Sequence, residues 1–221
     1  MWFSKKQHSA TTMSLMIAAF PQCLRDDVIV ALSAAGIAPH EPHMDIGDKS
    51  EVDGCEVIIP SRVYFPPART SDTEGLAPQQ KAIFASIMTR HHDGHQREYW
   101  ARVLCSHPAT WTAPYLAAIL GDYVIEVLEA VSKNLTADWA SIMEHYASEN
   151  HVCLRALNHR ILTYWSIYYR YSAPNIRFLT DYPGYIVAAQ LGLWDRRTAP
   201  KLLRKAMANK TLHPTAGNAP I

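Results

Sequence analysis

The chain has 221 residues, of which 48% are apolar and 19% charged, and its 21 basic and 20 acidic residues give a net charge of +1. This length suits one substantial hydrophobic core, and the composition excludes a disordered chain. Because the charges nearly balance, no global electrostatic field favours nucleic acid or an anionic membrane as the partner.

The cysteines and the N-terminal segment bear on the compartment. The four cysteines (Cys23, Cys55, Cys105 and Cys153) are far apart and form no C-x-x-C motif, which is typical of thiols in a reducing compartment. The apolar run 13–20 is too short for a signal peptide and lacks a small-x-small cleavage site after it. No stretch has the roughly 20 apolar residues that span a bilayer. We therefore expect a cytoplasmic protein with no membrane partner.

The first half of the chain predicts few regular elements. After a flexible segment 1–20, the apolar spacing indicates a helix at about 21–35. Prolines, glycines and charges predict a loop over 37–54. The next residues, 56–65, have strand composition interrupted by Pro60, which favours an edge strand or an extended arm.

From residue 76 onward the apolar spacing is helical. It predicts helices at about 78–91, 94–105, 112–132, 137–171, 185–192 and 198–208. As one helix, 137–171 would be about 50 Å long, so we expect a break near 149–151. The tail 209–221 is rich in proline and small residues and should be disordered. The fold class is therefore mainly α, with a single helical domain over 21–208 and a short extended or β segment near 56–65.

The densest group of titratable side chains is the histidine segment, residues 90–98, with the sequence Arg-His-His-Asp-Gly-His-Gln-Arg-Glu. One interpretation is a capped turn between two helices. Asp93 would accept a backbone N–H of the second helix, and Gln96 would complete a reciprocal capping arrangement. His91 and His92 would occupy the last turn of the first helix, where a cation suits the helix dipole.

A second interpretation is metal-assisted hydrolysis. The adjacent pair His92 and Asp93 resembles the dyad that names the HD phosphohydrolase superfamily. In that family, a histidine from an earlier helix and an aspartate from a later helix complete the metal shell. The resemblance implies a divalent metal ion with ligands among His91, His92, Asp93 and His95, with Asp122 and Asp138 as possible downstream partners. Such a metal would activate water against a phosphoester.

A third interpretation is architectural and covers residues 76–131. An apolar helix, the turn at Asp93 and Gly94, and Arg97 seven residues before Leu104 together resemble one HEAT-type helical repeat. The resemblance implies a compact stack of helix pairs rather than a regular solenoid, because no second copy of the motif follows.

Our leading functional hypothesis is an intracellular protein–protein interaction module that needs no cofactor and is not an enzyme. Toxin immunity proteins are one kind of protein with this role, by analogy alone. The predicted recognition face is formed by His91, His92, His95, Arg97, Glu98, Asp122 and Glu126.

A further hypothesis is binding of single-stranded nucleic acid. The range 164–185 carries many aromatic residues interleaved with Arg170 and Arg177, and the helix at 198–208 is strongly basic. Aromatic rings beside arginines can stack nucleic-acid bases. Tyrosines packed half-buried against a core explain the same pattern, and no RNP-like or KH-like motif is present, so we favour packing.

Overall fold

The structure, a computed structural model, describes residues 12–34 and 44–194. The predicted helix at 198–208 and the tail 209–221 lie outside the described residues. The described part is mainly helical, as the sequence predicts, with two small antiparallel sheets.

The helices follow the order of the chain. They are α1 (Thr12–Ile17), α2 (Arg25–Ala34), α3 (Pro78–Met88), α4 (Gly94–Cys105), α5 (Ala113–Leu120), α6 (Ile125–Asn134), α7 (Trp139–Glu149), α8 (His151–Tyr164) and α9 (Pro183–Gln190). A π-helical turn, Trp165–Tyr169, continues α8. Within these residues no helix is long and apolar enough to cross a membrane.

The core lies between α2, α3, α4 and α6, which pack on one another in that order. Trp100 of α4 and Trp139 of α7 are among the largest fully buried side chains. Burial of one large apolar side chain stabilises a fold by about 1.5–3 kcal/mol, so these two indoles contribute strongly to the core. The Trp139 indole N–H donates to the Cys105 carbonyl at 2.8 Å, which leaves no unpaired polar atom on that ring.

The expectation of flexibility over 1–20 is wrong for residues 12–20, while residues 1–11 lie outside the described residues. Residues 12–17 form α1, and Met16 and Phe20 are buried. The Phe20 ring stacks on Tyr115 at 5.1 Å between ring centroids, and the Tyr115 hydroxyl donates to the Ala19 carbonyl at 3.0 Å. The apolar run that a signal peptide would have carried is therefore part of the core.

The predicted loop 37–54 is wrong in its second half, where a β-hairpin forms. Strand β1 is Met44–Asp45, β2 is Lys49–Val52, β3 is Cys55–Ile58 and β4 is Arg62–Val63. Strand β2 pairs with β3 and β1 pairs with β4, both antiparallel. Asp53 and Gly54 form the hairpin turn with φ of 50° and 76°, a left-handed conformation that Asp-Gly favours. Pro60 separates β3 from β4, as the sequence predicts for an interrupted strand.

Two long helical predictions have different outcomes. The expected break near 149–151 is confirmed, because α7 ends at Glu149 and α8 begins at His151. The single helix predicted over 112–132 is wrong, because the chain leaves helical geometry between α5 and α6. At this break the Asp122 carboxylate accepts the Val124 N–H at 3.0 Å. A short polar side chain that bonds its own backbone favours a turn over a helix.

Candidate functional site

The histidine segment first acts as a capped turn. Helix α4 begins at Gly94, and the Asp93 carboxylate accepts the His95 N–H at 2.9 Å, so the predicted N-cap is confirmed. The reciprocal cap by Gln96 is wrong. The Gln96 side-chain oxygen instead accepts the Ala68 N–H at 3.0 Å and the Trp100 indole N–H at 3.2 Å, which ties a distant loop to α4.

His91 is a buried structural residue. Its Nε2 lies 2.7 Å from the Phe65 carbonyl oxygen, and its Nδ1 lies 3.0 Å from the Asp93 backbone nitrogen. The carbonyl can only accept and the N–H can only donate, so the ring is neutral with its proton on Nε2. Burial lowers the pKa of His91 below its ordinary value of 6.5, against the opposing effect of the Phe65 hydrogen bond. Neither ring nitrogen is available to a metal or a partner.

Arg97 and Asp122 form a fully buried ion pair. The Arg97 Nε donates to one Asp122 carboxylate oxygen at 2.7 Å, and Nη2 donates to the other at 3.1 Å. Nη1 donates to the carbonyls of His91 and His92, each at 2.9 Å. Burial alone would raise the pKa of Asp122, but the hydrogen bond and charge of Arg97, the Val124 N–H and the charge of Arg62 outweigh it and lower the pKa.

The predicted recognition face is therefore only partly at the surface. Of its seven residues, His91, Arg97 and Asp122 are buried. His92, His95 and Glu126 are exposed, and Glu98 is half-buried and paired with Arg102 on α4. This corrects the expectation for the three buried residues, because a bidentate ion pair and a doubly bonded imidazole have no capacity left for a partner.

The metal interpretation requires ligands that converge on one point. Across residues 12–34 and 44–194, no group of three or more His, Cys, Asp or Glu side chains could hold a metal ion. Asp93 caps α4, Asp122 pairs with Arg97, and the His92 ring stacks on Tyr64 at 5.3 Å. The residues that resemble the HD dyad therefore do not assemble a metal shell with their neighbours.

A second cluster, which we call the tyrosine surface, is more exposed. It consists of Tyr123, Tyr164, Ile167, Tyr168 and Tyr171. The rings of Tyr123, Tyr164 and Tyr168 form a triangle with centroid distances of 5.9, 6.0 and 6.0 Å. Tyr168 is 50% exposed, Ile167 67% and Tyr171 85%. Four of the exposed large hydrophobic side chains of residues 12–34 and 44–194 therefore fall in this one cluster, and grouped apolar exposure is more typical of contact sites than scattered exposure.

The π-helical turn places these side chains. The Arg170 N–H donates to the Trp165 carbonyl at 2.9 Å, five residues back, and the Trp165 indole N–H donates to the Ile176 carbonyl at 3.0 Å. Trp165 is thereby buried, while the residues after it turn outward. Such π-helical turns are rare and frequently occur at functional sites.

The tyrosine surface is connected to the buried ion pair. Tyr123 directly follows Asp122, and its ring lies 5.7 Å from the Arg97 guanidinium carbon. The Tyr169 hydroxyl donates to the Tyr123 carbonyl, and the Tyr182 hydroxyl donates to the Asp122 carbonyl at 3.3 Å. The histidine segment and Asp122 thus hold the backbone that presents Tyr123.

The sequence indicates the aromatic range 164–185 but not which of its members are exposed. Trp165 and Tyr182 are fully buried rather than half-buried, whereas Tyr168 and Tyr171 are exposed. The exposed large hydrophobics at 167, 168 and 171 are separated by one and three residues, a spacing that places them on neighbouring positions of a helical turn.

Comparison of the chain with protein-family models, with curated proteins and with solved structures gave no match. The HEAT-type and HD-type resemblances therefore stay predictions from the sequence.

Proposed function

We propose that this protein is a protein-binding module whose partner contacts the tyrosine surface. The observation that carries this proposal is a group of mutually packed rings, in which Tyr123 and Tyr168 are exposed and Tyr164 is half-buried. Tyrosine is enriched at the energetic centres of protein interfaces, because it buries a large ring and offers a hydroxyl while losing little conformational entropy. Rings that already pack against one another lose even less freedom on binding.

The surroundings of the tyrosine surface support a polar rim. Glu126 is exposed, and its charge acts on the nearby Tyr169 hydroxyl, whose pKa is raised chiefly by burial. Arg170 also lies beside the tyrosine surface, with its guanidinium 5.2 Å from the Tyr171 ring. An apolar centre with charged residues at its edge is the usual anatomy of a protein interface. Glu126 thus remains a candidate contact from the predicted recognition face.

We also infer an intracellular location. The four cysteines are free thiols, which is typical of a reducing compartment. An intracellular neutralising protein of the immunity type is one example of such a module, by analogy alone.

The test is capture of a partner by the full chain from cells that produce it, followed by binding measurements on the purified pair. We expect Tyr168→Ala to weaken binding by about 30-fold, the equivalent of roughly 2 kcal/mol at an interface centre. Val152→Ala is the matched control, because Val152 is 69% exposed on α8 but is not part of the tyrosine surface. Equal binding by both variants would exclude the tyrosine surface as the contact site.

The same variants test the nucleic-acid hypothesis. Arg170 lies 5.4 Å from the Trp165 ring and 5.2 Å from the Tyr171 ring, so a cation and aromatic rings are adjacent here. Phosphate-driven binding weakens steeply with added salt. If the chain binds a single-stranded oligonucleotide saturably, and if that binding depends on both Tyr168 and salt, the partner is a nucleic acid rather than a protein.

A further inference from the structure

A separate cleft of about 250 Å³ lies between the β2–β3 hairpin, the loop around Pro60, α5 and α8. We call it the Arg90 cleft. Its lining includes Ser50, Pro60, Arg90, Ala118, Cys153 and Arg160. None of these residues belongs to the tyrosine surface or to the predicted recognition face.

Arg90 is an unusual lining residue because it is 4% exposed and has no carboxylate partner among the described residues. Its Nε donates to the Pro60 carbonyl at 3.0 Å, and its Nη2 donates to the Ser61 carbonyl at 2.8 Å. Its Nη1 is buried and has no hydrogen-bond partner in the described part of the chain. A buried charge is costly unless a counter-charge and hydrogen bonds compensate it.

The surroundings of Arg90 are positive. Burial and the charge of Arg62 lower the pKa of Arg90 to about 9, and Arg160 and Arg97 act in the same direction, with Asp122 opposing them. The guanidinium therefore stays protonated at neutral pH, at a cost that a bound anion would reduce.

Arg160 supplies a second cation to the Arg90 cleft. It pairs with Asp48 at 2.7 Å, and the Asp48 side chain is 61% exposed. An exposed ion pair contributes little to stability, so the exchange of Asp48 for another anion costs little. The Ser50 and Tyr146 hydroxyls, 3.3 Å apart in the lining, add neutral hydrogen-bonding groups.

We propose that the Arg90 cleft binds a small oxyanion group, a phosphate or a carboxylate, through Arg90 and Arg160. The cleft volume of about 250 Å³ leaves ample room for a small anionic group. Guanidinium groups match both oxyanions because their N–H donors lie in one plane and bind two oxygens at once.

The test is equilibrium binding of inorganic phosphate and, separately, of acetate to the full chain, with sodium chloride holding the ionic strength constant. We expect saturable binding of at least one anion, and the tighter one identifies the oxyanion class. Arg160→Gln should weaken it by at least about tenfold, the loss of roughly 1.4 kcal/mol from one charged hydrogen-bonding partner. Arg155→Gln is the matched control, because Arg155 is exposed on the same helix and does not line the cleft.

Arg90 itself is not replaced, because the Pro60 and Ser61 carbonyls would lose their donor and a loss of fold would then be confused with a loss of binding. A second variant fills the cleft instead. Ala118→Leu keeps both arginines and fills part of the cleft, so it should also abolish binding while circular dichroism shows a folded chain. Absence of saturable binding to the wild type, or wild-type affinity in both Ala118→Leu and Arg160→Gln, would overturn the proposal. Tyr168→Ala should leave anion binding unchanged, which separates this site from the tyrosine surface.

Discussion

Replacement of Asp122 by asparagine tests the central structural inference, that a buried ion pair holds the break between α5 and α6. The substitution keeps the size of the side chain and removes its charge. Arg97 then stays fully buried with its charge uncompensated, since its other partners are the neutral carbonyls of His91 and His92. The amide also presents N–H groups where two guanidinium N–H groups now donate.

The expected loss is large on the scale of a folded domain. Breaking a buried pair by neutralising one partner costs about 3–5 kcal/mol. Domains have a total free energy of unfolding of about 5–15 kcal/mol, so this change removes a third or more of an average value. For a chain of this length each kcal/mol shifts the melting temperature by about 2–4 °C, which predicts a decrease of roughly 6–20 °C.

Urea and thermal unfolding followed by circular dichroism measure this loss. Glu129→Gln is the matched control, because the Lys133–Glu129 pair is solvent-exposed and should contribute about 0–1 kcal/mol. The difference in the free energy of unfolding between wild type and Asp122→Asn should also depend on pH. The pKa of Asp122 in the fold lies below 3.8, so the pair stabilises the protein above pH 3.8 and its contribution is lost as the pH falls below that value. A loss under about 1 kcal/mol at pH 7 would refute the reasoning.

Three further predictions concern the backbone, a histidine and a thiol. Gly47→Ala should destabilise the protein far more than Gly54→Ala, because a Cβ at Gly47 would lie 2.0 Å from the Ile59 carbonyl oxygen. A Cβ at Gly54 would meet open space, and its left-handed φ of 76° costs a non-glycine residue only about 1–2 kcal/mol. Denaturant unfolding of the two variants compares their free energies of unfolding. NMR titration should give His91 a pKa below 6.5 in the folded protein. The contribution of its neutral ring to stability is therefore present above pH 6.5 and is lost as the pH falls from 6.5 to the folded pKa. A pKa of His91 at or above 6.5 would contradict its burial. Burial raises the pKa of Cys105 to about 12, so this thiol should react with iodoacetamide only after unfolding. Mass spectrometry measures the labelling, and labelling of Cys105 as fast as that of the exposed Cys55 would contradict the packing.

Local signals in the sequence are sufficient to predict where several elements begin or turn. Asp93 followed by Gly94 marks the start of α4, and the structure begins the helix at that residue. The hairpin turn at Asp53 and Gly54 carries an equally strong local signal, since an Asp-Gly dipeptide favours a two-residue turn. The prolines and charges of 37–54 predict a loop, but in its second half the Asp-Gly dipeptide is the stronger signal and a hairpin forms.

The break at Asp122 does not show in the apolar spacing, which continues from α5 into α6 across Gly121 and by itself predicts one helix over 112–132. At the break the Asp122 carboxylate accepts the nearby Val124 N–H, and it also binds Arg97, which lies 25 positions earlier. A contact of that separation depends on tertiary packing and leaves no periodic trace in the sequence. For the same reason, burial of His91 and Arg97 could not be deduced from a polar segment that resembles a solvated turn.

The role of the histidine segment changes when its contacts are followed outward. Its buried groups bind backbone: His91 to the Phe65 carbonyl, and Arg97 to the His91 and His92 carbonyls. These bonds fix the Asp122 carboxylate. The residue after Asp122 is Tyr123, whose ring completes the triangle with Tyr164 and Tyr168. Polar residues that resemble a catalytic cluster in the sequence therefore act as the internal support of the tyrosine surface. The support is a bidentate ion pair, so loss of charge at Asp122 should destabilise the fold and weaken partner binding as a consequence. The surface is aromatic, so loss of the ring at Tyr168 should weaken partner binding without destabilising the fold.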